Sequence, residues 1–426
     1  MKTIVKRDGR EVPFEKEKVR EAIRKAFFAV DGEISSYAEE KAFTISSYIA
    51  GLEDETLSVE QVQDLVENGL MATRRKDVAK AYIRYRDERS RVRNRDNRVR
   101  QLAKEKLLGL SDDKQNANVD ENSFGGRIGE ATRVLTKSIA LEDIISEMSR
   151  NNHESNEIYV HDLDSYAVGL HNCLSIPFDD LLANGFTVRQ TDVRPAGSVN
   201  TAFQLVAVIF QIQSLCQFGG VSATHLDWTM VPYVRKSFYK HFKDGMKYLC
   251  DLDETNSETL KSVSNTSSIE DENYKDIFPE VYRYAIDMTE REVHQAAEGM
   301  FHNLNTLQSR SGNQLPFSSI NYGTCTLPEG RMVIKAILEC SIEGMGKLHR
   351  TSIFPCQIFQ CMKGVNRVPG DPNYDLFRLA LKSTSLRLYP NYANVDWSGN
   401  AGYDRNDPRT YFSAMGERKL GPCKIF

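Results

Sequence analysis

Between Ser111 and Ser123 the chain reads SDDKQNANVDENS, a polar run rich in Asn and Asp with no apolar period. Regular apolar patterns lie on both sides of it, so their hydrophobic faces cannot close into one continuous core. With 426 residues the chain is also longer than one ordinary core supports. The expectation is a small body over residues 1–95, a linker over 96–123 and a larger body from 124 to 416.

The small body opens with KTIVKRDGREVPF, a β-hairpin pattern in which Asp8-Gly9 makes the tight turn between two short strands. Helical spacing follows from about Glu15, through Val19, Ile23, Phe27 and Val30. Ser36 with Glu39, and Ser58 with Gln61, have the form of capping boxes that start two more helices. Asp77 caps a fourth, which carries Ala81, Tyr82 and Tyr85. Lys6, Arg7 and Lys18 project from the hairpin and first helix toward one another, with Arg84, Arg86 and Arg89 on the last helix as further cations. Converging cations suit a polyphosphate, because guanidinium groups make paired contacts to its oxygens. The same residues also read as a solvated basic face. From Arg84 to Arg100 eight arginines face three acidic residues, the pattern of an exposed helical extension.

In the larger body the densest chemistry is IYVHDLDSYAVGLHNCLS, residues 158–175. Ile158–Val160 reads as a short buried strand that places His161, Asp162 and Asp164 at its end, where α/β folds hold their chemistry. The plainer reading is a strand followed by an Asp-rich turn, with Cys173 as a small buried hydrophobe. A helix is expected from Arg127 through Met148, and an apolar one over 199–216 that buries both faces. TVRQTDVRPAGSVN is a loop, residues 231–250 an amphipathic helix, and 251–276 an exposed insertion. A helix over 279–304 leads to the turn-rich LQSRSGNQLPF, whose backbone N–H groups suit a phosphate or a base, and then to a strand over 317–322. Helix 331–341, strand 353–359 and helix 374–387 continue an α/β alternation.

Several classes are excluded. A formal net charge of -4 argues against a general nucleic-acid binder, although residues 1–110 hold 24 Lys/Arg against 20 Asp/Glu. MKTIVKRDGR has no apolar signal region, and Gln204, Gln211 and Gln213 interrupt the longest apolar stretch, so no membrane span is expected. The eight cysteines contain no CxxC pair, which fits neither a disulfide framework nor a zinc site and points to a reducing cytoplasm. Neither GxGxxG nor a P-loop occurs.

KRDGREVPFEKEKV, with the closing AYIRYRDER, resembles the ATP-cone, the allosteric nucleotide-binding domain of many ribonucleotide reductases. The resemblance implies ATP and dATP as effectors, bound at Lys6, Arg7, Asp8, Gly9, Lys18 and Arg86. VHDLDSYAVGLHNC, the helix ending in QFGG, PYVRKSFYKHF, SGNQLPFSSINYG, IFPCQIF and DPNYDLFRLAL with RLYPN resemble, in this order, the catalytic domain of the anaerobic (class III) ribonucleoside-triphosphate reductases. That family implies a ten-stranded α/β barrel of the glycyl-radical type, here incomplete. It implies ribonucleoside triphosphate substrates, deoxynucleoside triphosphate effectors, a radical-SAM iron–sulfur activase and a homodimer. Its glycyl radical makes a thiyl that abstracts the ribose 3′ hydrogen, a second cysteine assists the reduction, and formate is the usual reductant. By motif position Cys173 is that second cysteine. His161, Asp162 and Asn172 are implied to position substrate, and Ser311, Gly312, Asn313 and Phe317 match the substrate-contacting loop. Residues 191–220 resemble the dimer and effector region.

The family's thiyl cysteine follows a Met-Gly pair. Here Met415-Gly416 is followed by Glu417, and residues 417–426 do not continue the family pattern, with Cys423 outside it. The family's C-terminal zinc cysteines and glycyl-radical loop have no counterpart in the sequence. Hence the expectation that this chain does not reduce ribonucleotides by itself, and that its alternative role is a non-catalytic ATP/dATP-binding regulator.

Overall fold

The computed structural model describes residues 2–110, 122–169, 173–250, 264–276, 278–310, 313–396 and 402–415. Asn172, Ser311, Gly312 and the tail 417–426 lie outside the described residues, as do residues 111–121 of the expected linker, whose first part, 96–108, is helical. The chain forms two compact units, Met1–Leu102 and Ala103–Phe426.

In the first unit β1 (Thr3–Val5) pairs antiparallel with β2 (Glu11–Pro13), in the register Ile4 opposite Val12. The turn closes through Lys6 N–H to the Arg10 carbonyl at 2.8 Å, with Gly9 at φ +81. Only a residue without a Cβ takes that conformation without strain. α1 (Lys16–Asp31) and α2 (Ser36–Gly51) follow. Val19, Ile23, Ala26 and Phe27 of α1 are buried, whereas Val30, on its last turn, is 39 % exposed. Ser35 caps α2 by accepting from the Ala38 N–H at 3.2 Å. The expected Ser36/Glu39 box does not form: Glu39 is instead drawn to Arg20 and Arg24, at 2.9 and 2.7 Å. β3 (Thr56–Ser58), which the sequence did not announce, adds parallel to β1 and completes a sheet of order β2-β1-β3. The box of Ser58 and Gln61 does open α3 (Val59–Met71). α4 (Lys76–Leu108) runs on past the unit's end. Asp77 lies inside its first turn and receives Arg75, which also grips Asp31 at 2.6 Å.

The second unit begins with α5 (Phe124–Ile139), continued by one π-helical turn over Ala140–Ile144. The chain becomes extended at Ile145, and Ser146 caps a separate α6 (Glu147–Glu154), so the single helix expected here is two. Ile158–Val160 is not a strand, and Tyr159 is 78 % exposed. Instead Asp162 takes φ 54 and leads into the one-turn α7 (Leu163–Tyr166). β4 (Leu174–Ser175) is the first strand of the main sheet. α8 (Phe178–Asn184) ends at Gly185, and the expected loop holds a hairpin, β5 (Phe186–Val188) with β6 (Thr191–Val193).

α9 (Val199–Ser214), β7 (Val221–Ala223), the one-turn α10 (Leu226–Thr229) and α11 (Val231–Leu249) come next. α9 buries most of its surface but leaves Thr201, Gln204 and Val208 exposed along one face. The one-turn α12 (Glu272–Lys275) belongs to the segment expected as an exposed insertion, yet Ile269 and Tyr274 are buried. Tyr274 stands edge-on to Phe238 and Phe242, each at 4.9 Å, and those rings form a small core with α13 (Pro279–Thr306). β8 (Ser318–Tyr322), α14 (Pro328–Glu343), β9 (Cys356–Cys361), α15 (Tyr374–Arg387) and β10 (Asn391–Asn394) complete the alternation.

The main sheet is wholly parallel, in the order β10-β9-β8-β7-β4. Each strand therefore lies beside its predecessor in the chain, and helices return the chain between them, as parallel pairing requires. The core contains Phe203, Phe210, Ile320, Tyr322, Ile337 and Phe359. No helix among the described residues is long and apolar enough to cross a membrane.

Candidate functional site

Two regions gather chemistry, one in each unit. In the first unit α1 and α4 border a cavity of about 990 Å³. Tyr82, Tyr85, Arg86, Arg89 and Arg93 recur at helical spacing along α4, and Lys18 and Lys25 face them from α1. Small side chains, Ala22, Ala26, Ala29 and Ala81, line the same walls and leave the space open. Arg86 is steered by Asp64 at 2.6 Å and Glu67 at 3.0 Å. Arg89 donates to the Tyr85 hydroxyl at 3.1 Å and lies 5.5 Å from its ring centre. Burial pushes the Tyr82 phenol up to about 12, so it stays a neutral aromatic wall. Such a space offers flat aromatic surface to a base and several cations to a polyphosphate.

Of the cations singled out in the sequence, Lys18, Arg86 and Arg89 line this cavity. Lys6, Arg7, Asp8 and Gly9 form the exposed hairpin tip and do not. Lys18 contacts Glu15 at 2.7 Å. Asp8 receives Arg10, which holds its carboxyl below the usual carboxylate range. Arg7 reaches the wall indirectly, bonding Glu60 at 2.5 Å and Gln63 at 3.2 Å, and Gln63 is itself a lining residue.

In the second unit Cys173, half-buried, directly precedes β4. Burial and the charge of Arg133 disfavour the charged form of Arg310, while Asp162, Asp164 and Cys173 favour it. Arg133 of α5 pairs with Glu130 at 3.2 Å and with Asp164 at 3.3 Å. The His161 ring nitrogen Nδ1 meets Asp162 at 2.5 Å, while the ring itself is largely exposed. Asn313, at φ 54, donates to Ser123 Oγ at 2.9 Å and packs against Gly125 of α5, where a Cβ would fall 2.3 Å from its Oδ1. Phe317 packs edge-on to Phe354 at 5.2 Å and over Gly220.

Polar residues inside the strands hold the chain's late segment across the sheet. Asn321 of β8 donates to the Ala414 carbonyl and accepts from the Ala414 N–H, both at 3.0 Å. Gln360 of β9 donates to the Phe412 carbonyl at 3.0 Å. The buried Asp227 accepts from the N–H groups of Gly323, Thr324 and Cys325 at 2.9–3.0 Å and so fixes the turn after β8. Burial pushes the thiols of Cys325 and Cys340 up strongly and that of Cys361 to about 11, which keeps all three protonated. Among the described residues no group of three or more His, Cys, Asp or Glu is placed to hold a metal.

The family model for anaerobic ribonucleoside-triphosphate reductase matches residues 115–420, and that for the ATP cone domain matches residues 2–91. The chain belongs to the anaerobic ribonucleoside-triphosphate reductase family. It is 30 % identical to the anaerobic ribonucleoside-triphosphate reductase of Haemophilus influenzae over 92 % of this chain and 52 % of that protein. It is 29 % identical to the Escherichia coli enzyme of the same name, over 92 % and 51 %. The chain thus spans about half the length of the curated relatives it matches. The anaerobic ribonucleotide reductase of Thermotoga maritima, solved with dATP and CTP, superposes with a TM-score of 0.42 at 12 % identity, covering 68 % of this chain and 46 % of that one.

For this reductase-family chain the structure adds residues that the sequence reading passed over. Lys25 and Arg93 line the cone's cavity, and their signal was helical spacing with Lys18 and with Arg86 and Arg89. Asn321 and Gln360 were visible only as polar residues inside apolar strands. Arg310 lay in LQSRSGNQ, in a stretch already marked, but as a lone cation it carried no pattern.

Proposed function

We propose that the first unit binds ATP or dATP as an effector in the cavity between α1 and α4. The second unit, in this reading, is the N-terminal part of a reductase barrel that holds a ribonucleoside triphosphate with its ribose beside Cys173. The observation that carries the proposal is the cavity itself: five cations and two tyrosines, with Glu15, Glu17, Glu21 and Asp96, line it in a domain matched by the ATP-cone model. Phosphate oxygens would take the guanidinium groups of Arg86, Arg89 and Arg93, and the base would lie on Tyr82 or Tyr85. The KRDG tip would act at the edge, through the contact of Arg7 with Gln63.

In the second unit the succession of parallel strands supports a barrel of which β4 and β7 to β10 form one side. Cys173 serves as the thiol that assists reduction. His161 and Asp162 orient the sugar, with Asn172, Ser311, Gly312, Asn313 and Phe317 as the substrate loop and its surroundings. Asn321 and Gln360 hold the segment of 412–414 over the strands and so direct Met415 toward the sheet's polar interior. The family's radical chemistry also brings an activase, a homodimer, zinc and a glycyl radical into the proposal. Neither the zinc nor the radical is assigned to a described residue.

Calorimetric titration of the whole chain with ATP and with dATP tests the effector site. One saturable event per chain is expected, weakened at least about tenfold, roughly 1.4 kcal/mol, by Arg86→Ala together with Arg89→Ala. Binding that the double variant leaves unchanged would exclude the cavity as the site.

A further inference from the structure

Asp179 of α8 follows β4 and His225 follows β7, so both come off the carboxyl ends of adjacent parallel strands, where α/β sheets hold ligands. Both line a cavity of about 610 Å³, together with Trp228 and Thr229 of α10, Pro232, Tyr233 and Lys236 of α11, and the loop Asn406–Arg409. That volume suits a small organic molecule. The acidic groups of the lining are already engaged. Asp179 accepts from the Thr229 hydroxyl at 2.6 Å and meets His225 Nε2 at 2.8 Å. Asp407 takes the Arg409 guanidinium through two bonds of 2.8 Å. The donors on α11 are not used up in this way. Tyr233 is 3 % exposed, yet its hydroxyl has no hydrogen-bond partner among the described residues. Burial, with the charge of Asp179, pushes this phenol up to about 12, so it keeps its proton and stays a donor. Lys236, one turn further on, holds its ammonium 4.9 Å from the Tyr233 ring centre. It donates to the Ala196 carbonyl at 3.0 Å, and no carboxylate pairs with it among the described residues. A neutral carbonyl leaves the charge of the ammonium unmet and its other N–H groups available. The Trp228 indole N–H is spent on the Thr324 hydroxyl at 3.0 Å, so its ring, with Pro232, offers an apolar wall. Two vacant donors beside an apolar wall, with the carboxylates already bonded, call for an acceptor carried on an apolar body.

We propose that this cavity binds a small organic oxyanion, a carboxylate or a phosphate monoester, whose acidic group meets the Tyr233 hydroxyl and the Lys236 ammonium and whose apolar body lies against Trp228 and Pro232. Charge-assisted bonds from the ammonium favour an anion over a neutral amide of the same shape. Cys173 precedes β4, whereas the residues of this cavity follow β4 and β7, so the site is added to the two already described.

The chain has two tryptophans, so the full chain carrying Trp397→Phe reports on Trp228 alone by its fluorescence. The probes are benzoate, phenyl phosphate and the neutral benzamide. Saturable change in Trp228 emission is expected with at least one of the two anions, and binding of benzamide at least about tenfold weaker. Saturation by benzoate alone assigns a carboxylate, by phenyl phosphate alone a phosphate, and by both a site for either oxyanion. Tyr233→Phe and Lys236→Met should each weaken anion binding about tenfold, since each removes one donor to a charged group. No saturable change with either anion overturns the site. Benzamide binding as tightly as the anions overturns the oxyanion, and anion binding unchanged in both variants overturns the roles of Tyr233 and Lys236. Circular dichroism shows whether each variant is folded, and Lys236→Met, at a half-buried position, carries the test if Tyr233→Phe is not.

Discussion

Burial alone would raise the carboxyl of Glu292, yet hydrogen bonds from His241 at 2.7 Å and Ser237 at 3.1 Å outweigh it and hold the group below its ordinary range. Ser237 also accepts the Val199 N–H at 3.0 Å, so this one carboxylate ties α13 to α11 and to the first turn of α9. A carboxyl depressed in the folded state contributes stability above its unfolded value, near 4.5, and that stability is lost as pH falls through the folded value. Glu292→Gln is therefore expected to flatten the acid side of the stability curve by up to about 1.4 kcal/mol per pH unit. Urea unfolding between pH 6 and pH 3 measures it, and an unaltered slope would mean that the cluster does not titrate on unfolding. Individual residues stood out where their chemistry was unusual for their surroundings, as Cys173 and Asp162 did. Glu292, His241 and Ser237 did not, since each is unremarkable in an amphipathic helix and their meeting depends on how three helices pack.

At the scale of elements, close approach decides what a helix tolerates. α14 passes so near the turn held by Asp227 that a Cβ at Gly330 would lie 2.2 Å from Cys325 Sγ and 2.6 Å from its Cβ. The neighbour cannot give way by a side-chain rotation, because its own Cβ is in the path. Gly330→Ala should thus lower stability by about 1–3 kcal/mol, read as a fall in melting temperature, despite the better helix propensity of alanine. A neutral or stabilising result would show that α14 has room to move. Long periodic helices such as α1, α9, α11 and α13 were legible from apolar spacing, and the hairpin from Asp8-Gly9. The short strands were not. β3, β5 and β6 have three residues each, too few for alternation to register, and β3 is defined by its partner β1 rather than by its own sequence. Ile158–Val160 shows the converse: an apolar triplet that looks like a strand but finds no sheet to join. Ser35 displaced Ser36 as a cap because Glu39 gained two arginines by staying outside the box.

Over the whole molecule the order of the chemistry in the sequence is also its order in the fold. A charged, tyrosine-bearing cavity lies in the first unit, and a parallel sheet in the second carries Cys173 before its first strand. The sheet's polar strand residues Asn321 and Gln360 grip the segment of 412–414. The two units divide at Leu102 and Ala103, inside α4 and ahead of the polar run after Leu110, whereas the alternation of the second unit was legible from its helix and strand patterns. The cavity's walls were only half legible, since the KRDG tip drew attention to the hairpin while α1 and α4 supply the lining. That makes the occupant of this cavity the central claim. Photolabelling of the whole chain with an azido derivative of ATP, followed by peptide mapping, tests it most directly. The account expects label on peptides from α1 and α4, at Lys18–Lys25 and Tyr82–Arg93, competed away by ATP and dATP. Label that falls only in the second unit, or that unlabelled ATP does not compete away, would contradict it.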